Sequence, residues 1–186
     1  MVFNEQSNEI KSSKIIFITG GTKSGKSEFA EFLGKKFSKI TYIALSEQRP
    51  EDEHWQTKIS VHRKRRPQDW KLIETNDLIN ILHREKGSIL IDSIGGFIME
   101  NINLDDKKWS NRLQLLLELL QKSDNITLIV GEQVGLGLVS EYKIGNKYIE
   151  RIGELQKNIS QISEENWLTL NGRAIKLDNI SFVIPT

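Results

Sequence analysis

The sequence predicts an α/β domain with a mostly parallel central sheet flanked by helices. Short apolar runs alternate along the chain with longer stretches whose apolar residues repeat at helical spacing, which is typical of strand–helix–strand units. Several of the short runs are apolar throughout, as expected for strands that are buried on both faces. The predicted strands comprise residues 14–19, 40–45, 70–74, 88–92, 126–130 and 167–170.

The composition is that of a globular protein and excludes several functional classes. The chain has 186 residues, 38% of them hydrophobic and 27% charged, and this length suits a single core. Its net charge of +1 provides no global field for nucleic acid or an anionic membrane, so any anion site must be local. Because there are no cysteines, disulfides, thiolate metal sites and cysteine nucleophiles are all excluded.

The domain is expected to span residues 14–186, after a polar extension at residues 1–13. That extension lacks the basic and then apolar pattern of a signal peptide. The apolar runs, such as residues 15–18, are too short to cross a bilayer. We therefore expect a cytoplasmic protein without a stable membrane anchor.

The first predicted strand leads directly into a phosphate-binding loop, and a helix is predicted to follow at residues 26–37. The loop has the pattern G-x-x-x-x-G-K-S, and its residues are Gly20, Gly21, Thr22, Lys23, Ser24, Gly25, Lys26 and Ser27. Glycines let the backbone curl so that its N–H groups face phosphate oxygens, and the helix amino terminus adds partial positive charge. We expect Lys26 to reach the β- and γ-phosphates and the Ser27 hydroxyl to bind Mg2+.

An acidic residue ends the fourth predicted strand. A nucleotide that carries Mg2+ needs a carboxylate near its phosphates, and Asp92 follows the apolar run of residues 89–91. An aspartate after a strand is also an ordinary turn residue. Because a phosphate loop is present, we favour a metal site formed by Ser27 and Asp92.

Two amphipathic helices are predicted in the second half of the chain. The first begins near Trp109, and its apolar stripe consists of Leu113, Leu116, Leu117 and Leu120. The stripe of the second consists of Ile144, Tyr148, Ile152, Leu155, Ile159 and Ile162. We expect both stripes to cover the sheet, with an oligomer contact as the alternative. A more polar helix is predicted near residues 76–84.

The segment of residues 51–67 begins acidic, ends basic and contains His62. Taken alone, Arg63, Lys64, Arg65 and Arg66 are typical of a solvated charge run or a nucleic-acid patch, with a surface histidine beside them. The alternative is chemical, because an imidazole beside fixed cations can attack phosphorus while the cations neutralise the phosphate charge. A neutral imidazole is a competent nucleophile near pH 7, since its unperturbed pKa is about 6.5.

Further motifs follow the phosphate loop in a fixed order. They are Tyr-Ile-Ala-Leu-Ser at residues 42–46, I-x-x-H at 59–62, R-P-x-x-W at 66–70, the strand that ends in Asp92, Glu-Gln-Val-Gly-Leu-Gly-Leu-Val at 132–139 and Asn-Gly at 171–172. In this order and spacing they resemble the adenosylcobinamide kinase / adenosylcobinamide-phosphate guanylyltransferase family. The resemblance extends from residue 14 to about residue 177.

The resemblance implies a RecA-like P-loop fold that carries out two linked reactions on a corrinoid substrate. Family members phosphorylate adenosylcobinamide with ATP or GTP, and then transfer GMP from GTP to that phosphate through a guanylylated histidine, in cobalamin biosynthesis. The motif places that histidine at His62, which with Lys26 is then catalytic. Nucleotide contacts are implied, beside the phosphate loop, for Ser46, Arg63, Lys64, Arg65, Arg66, Glu74 and Asp92. Family members are usually homotrimers.

The chain departs from the family pattern at several positions. Asn146 and Ile149 stand where arginines are common, Glu150 replaces an aspartate, and the residues near 100–101 are out of register by one. His54 aligns with a usual glutamate, and Glu132 lies where an asparagine is typical. Because of the missing arginines, we expect the affinity for the substrate to be weakened more than the affinity for the nucleotide. Two alternatives follow: a P-loop small-molecule kinase without guanylyl transfer, and a RecA-like module that grips nucleic acid.

Overall fold

Strands and helices alternate in the computed structural model, which describes residues 14–45, 51, 66–135 and 140–184. The strands are β1 (Lys14–Gly20), β2 (Ile40–Ala44), β3 (Lys71–Glu74), β4 (Ser88–Asp92), β5 (Ile126–Glu132), β6 (Glu165–Leu170) and β7 (Arg173–Lys176). The helices are α1 (Lys26–Gly34), α2 (Leu78–Arg84), α3 (Gly95–Asn101), α4 (Asp106–Lys122) and α5 (Lys143–Ile162). A 3-10 turn, Leu177–Asn179, follows β7.

All seven strands form one sheet in the order β3-β2-β4-β5-β1-β6-β7. Every pairing is parallel except that of β6 with β7. The predicted α/β class with a mostly parallel sheet is therefore confirmed. Strand β5 lies between β1 and β4, so the carboxyl ends of these three strands meet at one edge, where ligands of such sheets bind.

The two faces of the sheet pack against different helices, because successive side chains of a strand point to opposite faces. On one face, Ile16 and Ile18 pack with residues of α1. On the other face, Ile15 and Phe17 share a core with α2, α3, α4 and α5. The two predicted apolar stripes join this second core, which confirms that they cover the sheet. Ile144 is the exception, because it is 55% exposed.

Several element boundaries differ from the prediction. Helix α1 ends at Gly34 and not at residue 37, and a Cβ on Gly34 would overlap the ring of Trp70. Helix α3 and strand β7 were not predicted. Strand β7 pairs with β6 through a turn in which Asn171 and Gly172 have φ angles of 50° and 73°, as a two-residue hairpin turn requires. Across the described ranges, no helix combines the length and apolar character that crossing a membrane requires.

Candidate active site

The phosphate-binding loop connects the carboxyl end of β1 to the amino end of α1, as the motif predicts. Gly25 caps α1 with a φ of 96°, a left-handed conformation that favours glycine. The Lys26 ammonium donates to the carbonyl oxygen of Gly21 at 3.2 Å, so it is folded over the loop. Thr22 and Lys23 are exposed. The loop thus lies at the positive end of the helix dipole with its lysine close by.

Strand β6 and the turn after it support this loop from behind. The hydroxyls of Ser24 and Thr169 lie 2.8 Å apart, and the Gly172 N–H donates to the Ser24 carbonyl at 3.1 Å. A Cβ on Gly20 would overlap the Thr169 side chain, so glycine is needed there for close approach. The sequence prediction missed Thr169, which is 145 residues from Ser24 along the chain.

The structure brings Ser27 and Asp92 together, as predicted. The Ser27 hydroxyl donates to Asp92 Oδ1 at 3.0 Å, and the Tyr42 hydroxyl donates to Asp92 Oδ2. Burial, reinforced by the charge of Asp92, raises the pKa of Tyr42 far above its usual range, so this phenol remains a donor. In the ranges that the structure describes, no group of three or more His, Cys, Asp or Glu side chains could hold a metal without other ligands. The Ser27 hydroxyl and the Asp92 carboxylate lie together beside the phosphate loop as two neighbouring oxygen groups.

Arg66 is packed against α1 and β2. Its side chain is 12% exposed, its guanidinium carbon lies 3.5 Å from the centre of the Tyr42 ring, and its Nε is 3.7 Å from Glu31 Oε1. That Nε has no hydrogen-bond partner within the described part of the chain. Arg66 was predicted to contact nucleotide; its contacts here are with protein groups beside the phosphate loop.

Of the other predicted site residues, the structure describes Glu74. Glu74 ends β3, which is four strand positions from β1, or roughly 19 Å at the usual strand spacing. Ser46, His62, Arg63, Lys64 and Arg65 lie outside the described residues, as does His54.

Glu132 is a candidate site residue that the sequence prediction placed in a family motif, and noted as a departure from the family, without a role at the site. It ends β5 beside Asp92, accepts from the Ser93 hydroxyl at Oε1, and accepts from the Gly95 N–H at 3.2 Å. Burial raises the pKa of Glu132 above its usual range, although these hydrogen bonds act in the opposite direction. Burial, together with Glu132, also raises the pKa of Tyr148 to about 12. The available signal was an acidic residue at the end of an apolar strand, the same signal that identified Asp92.

The two positions at which the family resemblance implies arginines lie near this edge. Asn146 and Ile149 are partly buried in the first turns of α5. A Cβ on Gly135, in the loop after β5, would lie 3.8 Å from Ile149 Cγ2. The substitutions therefore border the carboxyl edge of the sheet and not a remote surface.

Comparison with known proteins identifies a family over most of the chain. The family model described as cobinamide kinase / cobinamide phosphate guanyltransferase matches residues 16–177. The bifunctional adenosylcobalamin biosynthesis protein CobU of Escherichia coli (strain K12) is 24% identical over 181 residues, which cover 88% of this chain and 99% of that protein. The corresponding protein CobP of Pseudomonas aeruginosa is 26% identical over 166 residues, which cover 86% of this chain and 95% of that protein.

A solved structure supports the fold without indicating a function. The chain resembles a protein of Pyrococcus horikoshii OT3, studied as project PH0250, with a TM-score of 0.53 and 7% identity. The match covers 94% of this chain and 93% of that one. At this identity the likeness concerns the arrangement of strands and helices alone.

Proposed function

The chain belongs to the cobinamide kinase / cobinamide phosphate guanyltransferase family, whose model spans residues 16–177, and from this premise we propose how its residues carry out the two reactions. The chain is thus an enzyme, a kinase and nucleotidyltransferase of cobalamin biosynthesis. In the proposal, ATP or GTP phosphorylates adenosylcobinamide, and GMP then passes from GTP to the new phosphate through His62. The observation that carries the proposal is the 3.0 Å contact between Ser27 and Asp92, because it joins the phosphate loop and the strand-end carboxylate in one nucleotide site.

The kinase step requires alignment and cations more than covalent participation by the protein. The loop N–H groups and the amino terminus of α1 bind the phosphates. The Lys26 ammonium, 3.2 Å from the Gly21 carbonyl oxygen, exchanges that partner for oxygens of the β- and γ-phosphates. The substrate hydroxyl oxygen then bonds to the γ-phosphorus as the bond from that phosphorus to the β-phosphate oxygen breaks; the nucleoside diphosphate leaves and the hydroxyl proton passes to solvent.

Ser27 and Asp92 fit the coordination that Mg2+ requires. This ion binds oxygens at about 2.0–2.1 Å in an octahedron, so neighbouring ligand oxygens lie about 2.9 Å apart. The separation of 3.0 Å between Ser27 Oγ and Asp92 Oδ1 is close to this distance between neighbouring ligand oxygens. Phosphate oxygens and water complete such a site. When bound there, Mg2+ neutralises charge on the phosphates during transfer.

Along the sequence, His62 lies four residues before Arg66, which packs beside the same site. Arg66 packs on Tyr42, whose hydroxyl contacts Asp92. Four peptide steps separate His62 from Arg66, which limits the distance between their Cα atoms to about 14 Å. This length of chain is sufficient for the proposed approach of the imidazole to the nucleotide.

The guanylyl transfer divides one difficult displacement into two. A nitrogen of the neutral His62 imidazole bonds to the α-phosphorus of GTP, and pyrophosphate leaves. An oxygen of cobinamide phosphate then bonds to the same phosphorus, and the phosphorus–nitrogen bond breaks to restore the imidazole. The residues that follow His62 in the sequence are the cationic Arg63, Lys64 and Arg65. In the proposal, their positive charge stabilises the negative charge that develops on the phosphate during transfer.

The test is incubation with GTP labelled at its α-phosphate. We expect acid-labile label on the wild type and on His83→Ala, a control at an exposed histidine of α2, and no label on His62→Ala. Lys26→Ala should reduce both labelling and cobinamide phosphorylation. A wild type that phosphorylates cobinamide but never becomes labelled would show a plain kinase and contradict the guanylyl-transfer proposal.

We extend the proposal to a cytoplasmic homotrimer that does not bind nucleic acid. Exposed apolar side chains near the carboxyl terminus supply surface for contact between copies, with Phe182, Val183 and Ile184 exposed by 96%, 84% and 77%. Light scattering should give three times the chain mass of 21.4 kDa. Salt-sensitive retention on DNA or RNA would contradict the exclusion of nucleic acid.

A further inference from the structure

We propose that Tyr42 is a positioning residue for the carboxylate that holds Mg2+: its hydroxyl binds Asp92 Oδ2 and so turns Oδ1 toward Ser27. The inference rests on the proposed nucleotide site. Tyr42 is 0% exposed and lies within β2, and its ring belongs to the core on the α1 side of the sheet. The sequence places it in the predicted strand and in a family motif and predicts no role for it at the site.

The strand register explains how the phenol reaches the carboxylate. Strands β2 and β4 are parallel neighbours in which Ala44 pairs with Asp92 and Tyr42 pairs with Leu90. Residues two apart on a strand share a face, so Tyr42 and Asp92 point to the same side. The offset along the strand is roughly 6.6 Å, which the long tyrosine side chain spans.

The two oxygens of Asp92 are engaged by different partners. Ser27 contacts Oδ1 at 3.0 Å, and Tyr42 contacts Oδ2. A carboxylate held at one oxygen alone can rotate about its Cβ–Cγ bond, which would take Oδ1 away from the metal position. A donor at the second oxygen limits this rotation, and such supporting hydrogen bonds to metal ligands are known to tune metal affinity.

The ring of Tyr42 is itself held in place. The Arg66 guanidinium carbon lies 3.5 Å from the ring centre, and the ring of Trp70 stacks with a centroid separation of 6.3 Å. Glu31 of α1 lies 3.7 Å from the Arg66 Nε and holds the guanidinium there. These contacts fix the direction of the Tyr42 hydroxyl. A side chain that only filled the core would not need a fixed hydroxyl direction.

The experiment measures the affinity for fluorescently labelled ATP with excess Mg2+ and again with EDTA. The variants are Tyr42→Phe, which retains the ring and its stacking, and the control Tyr142→Phe, whose tyrosine is 74% exposed. In the wild type and the control, Mg2+ should strengthen binding. In Tyr42→Phe we expect this gain to fall by about tenfold or more, while the affinity in EDTA stays within about twofold of the wild type.

Two results for Tyr42→Phe would overturn the inference. An unchanged Mg2+ gain would show that the hydroxyl does not position Asp92. An equal loss of affinity with and without Mg2+ would show that the residue only supports the fold. If Mg2+ does not strengthen nucleotide binding in the wild type itself, the proposed magnesium site is wrong and this inference fails with it. If Mg2+ strengthens binding equally in the wild type and in Tyr42→Phe, the inference about Tyr42 fails alone.

Discussion

Replacing Gly25 with alanine tests whether the conformation of the phosphate loop, and not only its charge, creates the nucleotide site. Gly25 has a φ of 96° and a ψ of 10° at the start of α1. The nearest described atom to an added Cβ is the Gly172 Cα at 3.6 Å, an ordinary contact. The cost of the methyl group is therefore backbone strain and not a clash. For an L residue in a left-handed conformation this strain is about 1–2 kcal/mol.

Gly87 provides a matched control in the turn before β4. Its φ is 97°, and no described atom lies within 4 Å of the position a Cβ would take. Gly87→Ala should therefore lose the same stability as Gly25→Ala. For a chain of this size, about 1–2 kcal/mol lowers the midpoint of thermal unfolding by about 2–8 °C.

Nucleotide binding should distinguish the two variants. Gly25→Ala relieves its strain by moving toward negative φ, which turns loop N–H groups away from the phosphates. One hydrogen bond to a charged phosphate is worth about 1.5–3 kcal/mol, so the dissociation constant for ATP or GTP should rise at least about tenfold. Gly87→Ala should bind within about twofold of the wild type. The reasoning is refuted if Gly25→Ala binds nucleotide as the wild type does, or if it is far less stable than Gly87→Ala.

Two further predictions concern buried ionisable groups. Burial raises the pKa of Glu132 in the folded state, so its contribution to stability is full below the ordinary glutamate pKa and is lost as pH rises through the raised value. Between about pH 4 and about pH 8, the free energy of unfolding, measured with urea, should fall more with rising pH for the wild type than for Glu132→Gln. Parallel pH profiles of the two proteins would contradict this. Arg151→Ala should lower the free energy of unfolding by about 3 kcal/mol, because it removes three hydrogen bonds that a buried charged group donates; a loss below about 1 kcal/mol would contradict this. In the wild type Arg151 donates to the carbonyls of Asn101, Ile102 and Leu104 at 2.8, 3.1 and 2.7 Å.

Most of the fold could be predicted because its signals are local. The loop motif located the end of β1 and the start of α1, and the helical spacing of leucines and isoleucines located α4 and α5. Helix α3 was missed because it begins with Gly95 and Gly96, which are poor helix formers. Gly96 is explained by a tertiary contact, since a Cβ there would overlap the backbone of Leu45.

Strand β7 was missed for a different reason, because its signal was present but was used only as a family motif. Asn-Gly is a strong predictor of a two-residue hairpin turn, and residues 171–172 form one. Four residues of mixed polarity follow, and most of them are exposed. Such a strand has little hydrophobic pattern of its own, so it could be recognised only from the turn.

The candidate site was predictable in part. Lys26 and Ser27 belong to one contiguous motif, and Asp92 was identified as a carboxylate at the end of an apolar strand. The contacts of Tyr42 with Asp92 and of Arg66 with Glu31 join residues that are far apart in the sequence, and no motif predicts that they meet. Glu132 also became a site residue only when β5 was seen beside β4.

The sequence by itself predicted a phosphate-binding loop at residues 20–27, most of the strands and helices, and the family to which the chain belongs. The loop and the elements were predictable because their signals lie within short segments, and the family was predictable from the order of motifs along the chain. Only the tertiary structure decided that β5 lies between β1 and β4, and hence that Ser27 meets Asp92, and Ser24 meets Thr169. The physical reason is that strand order results from burying many apolar surfaces at once, and a strand's own residues do not specify its neighbours.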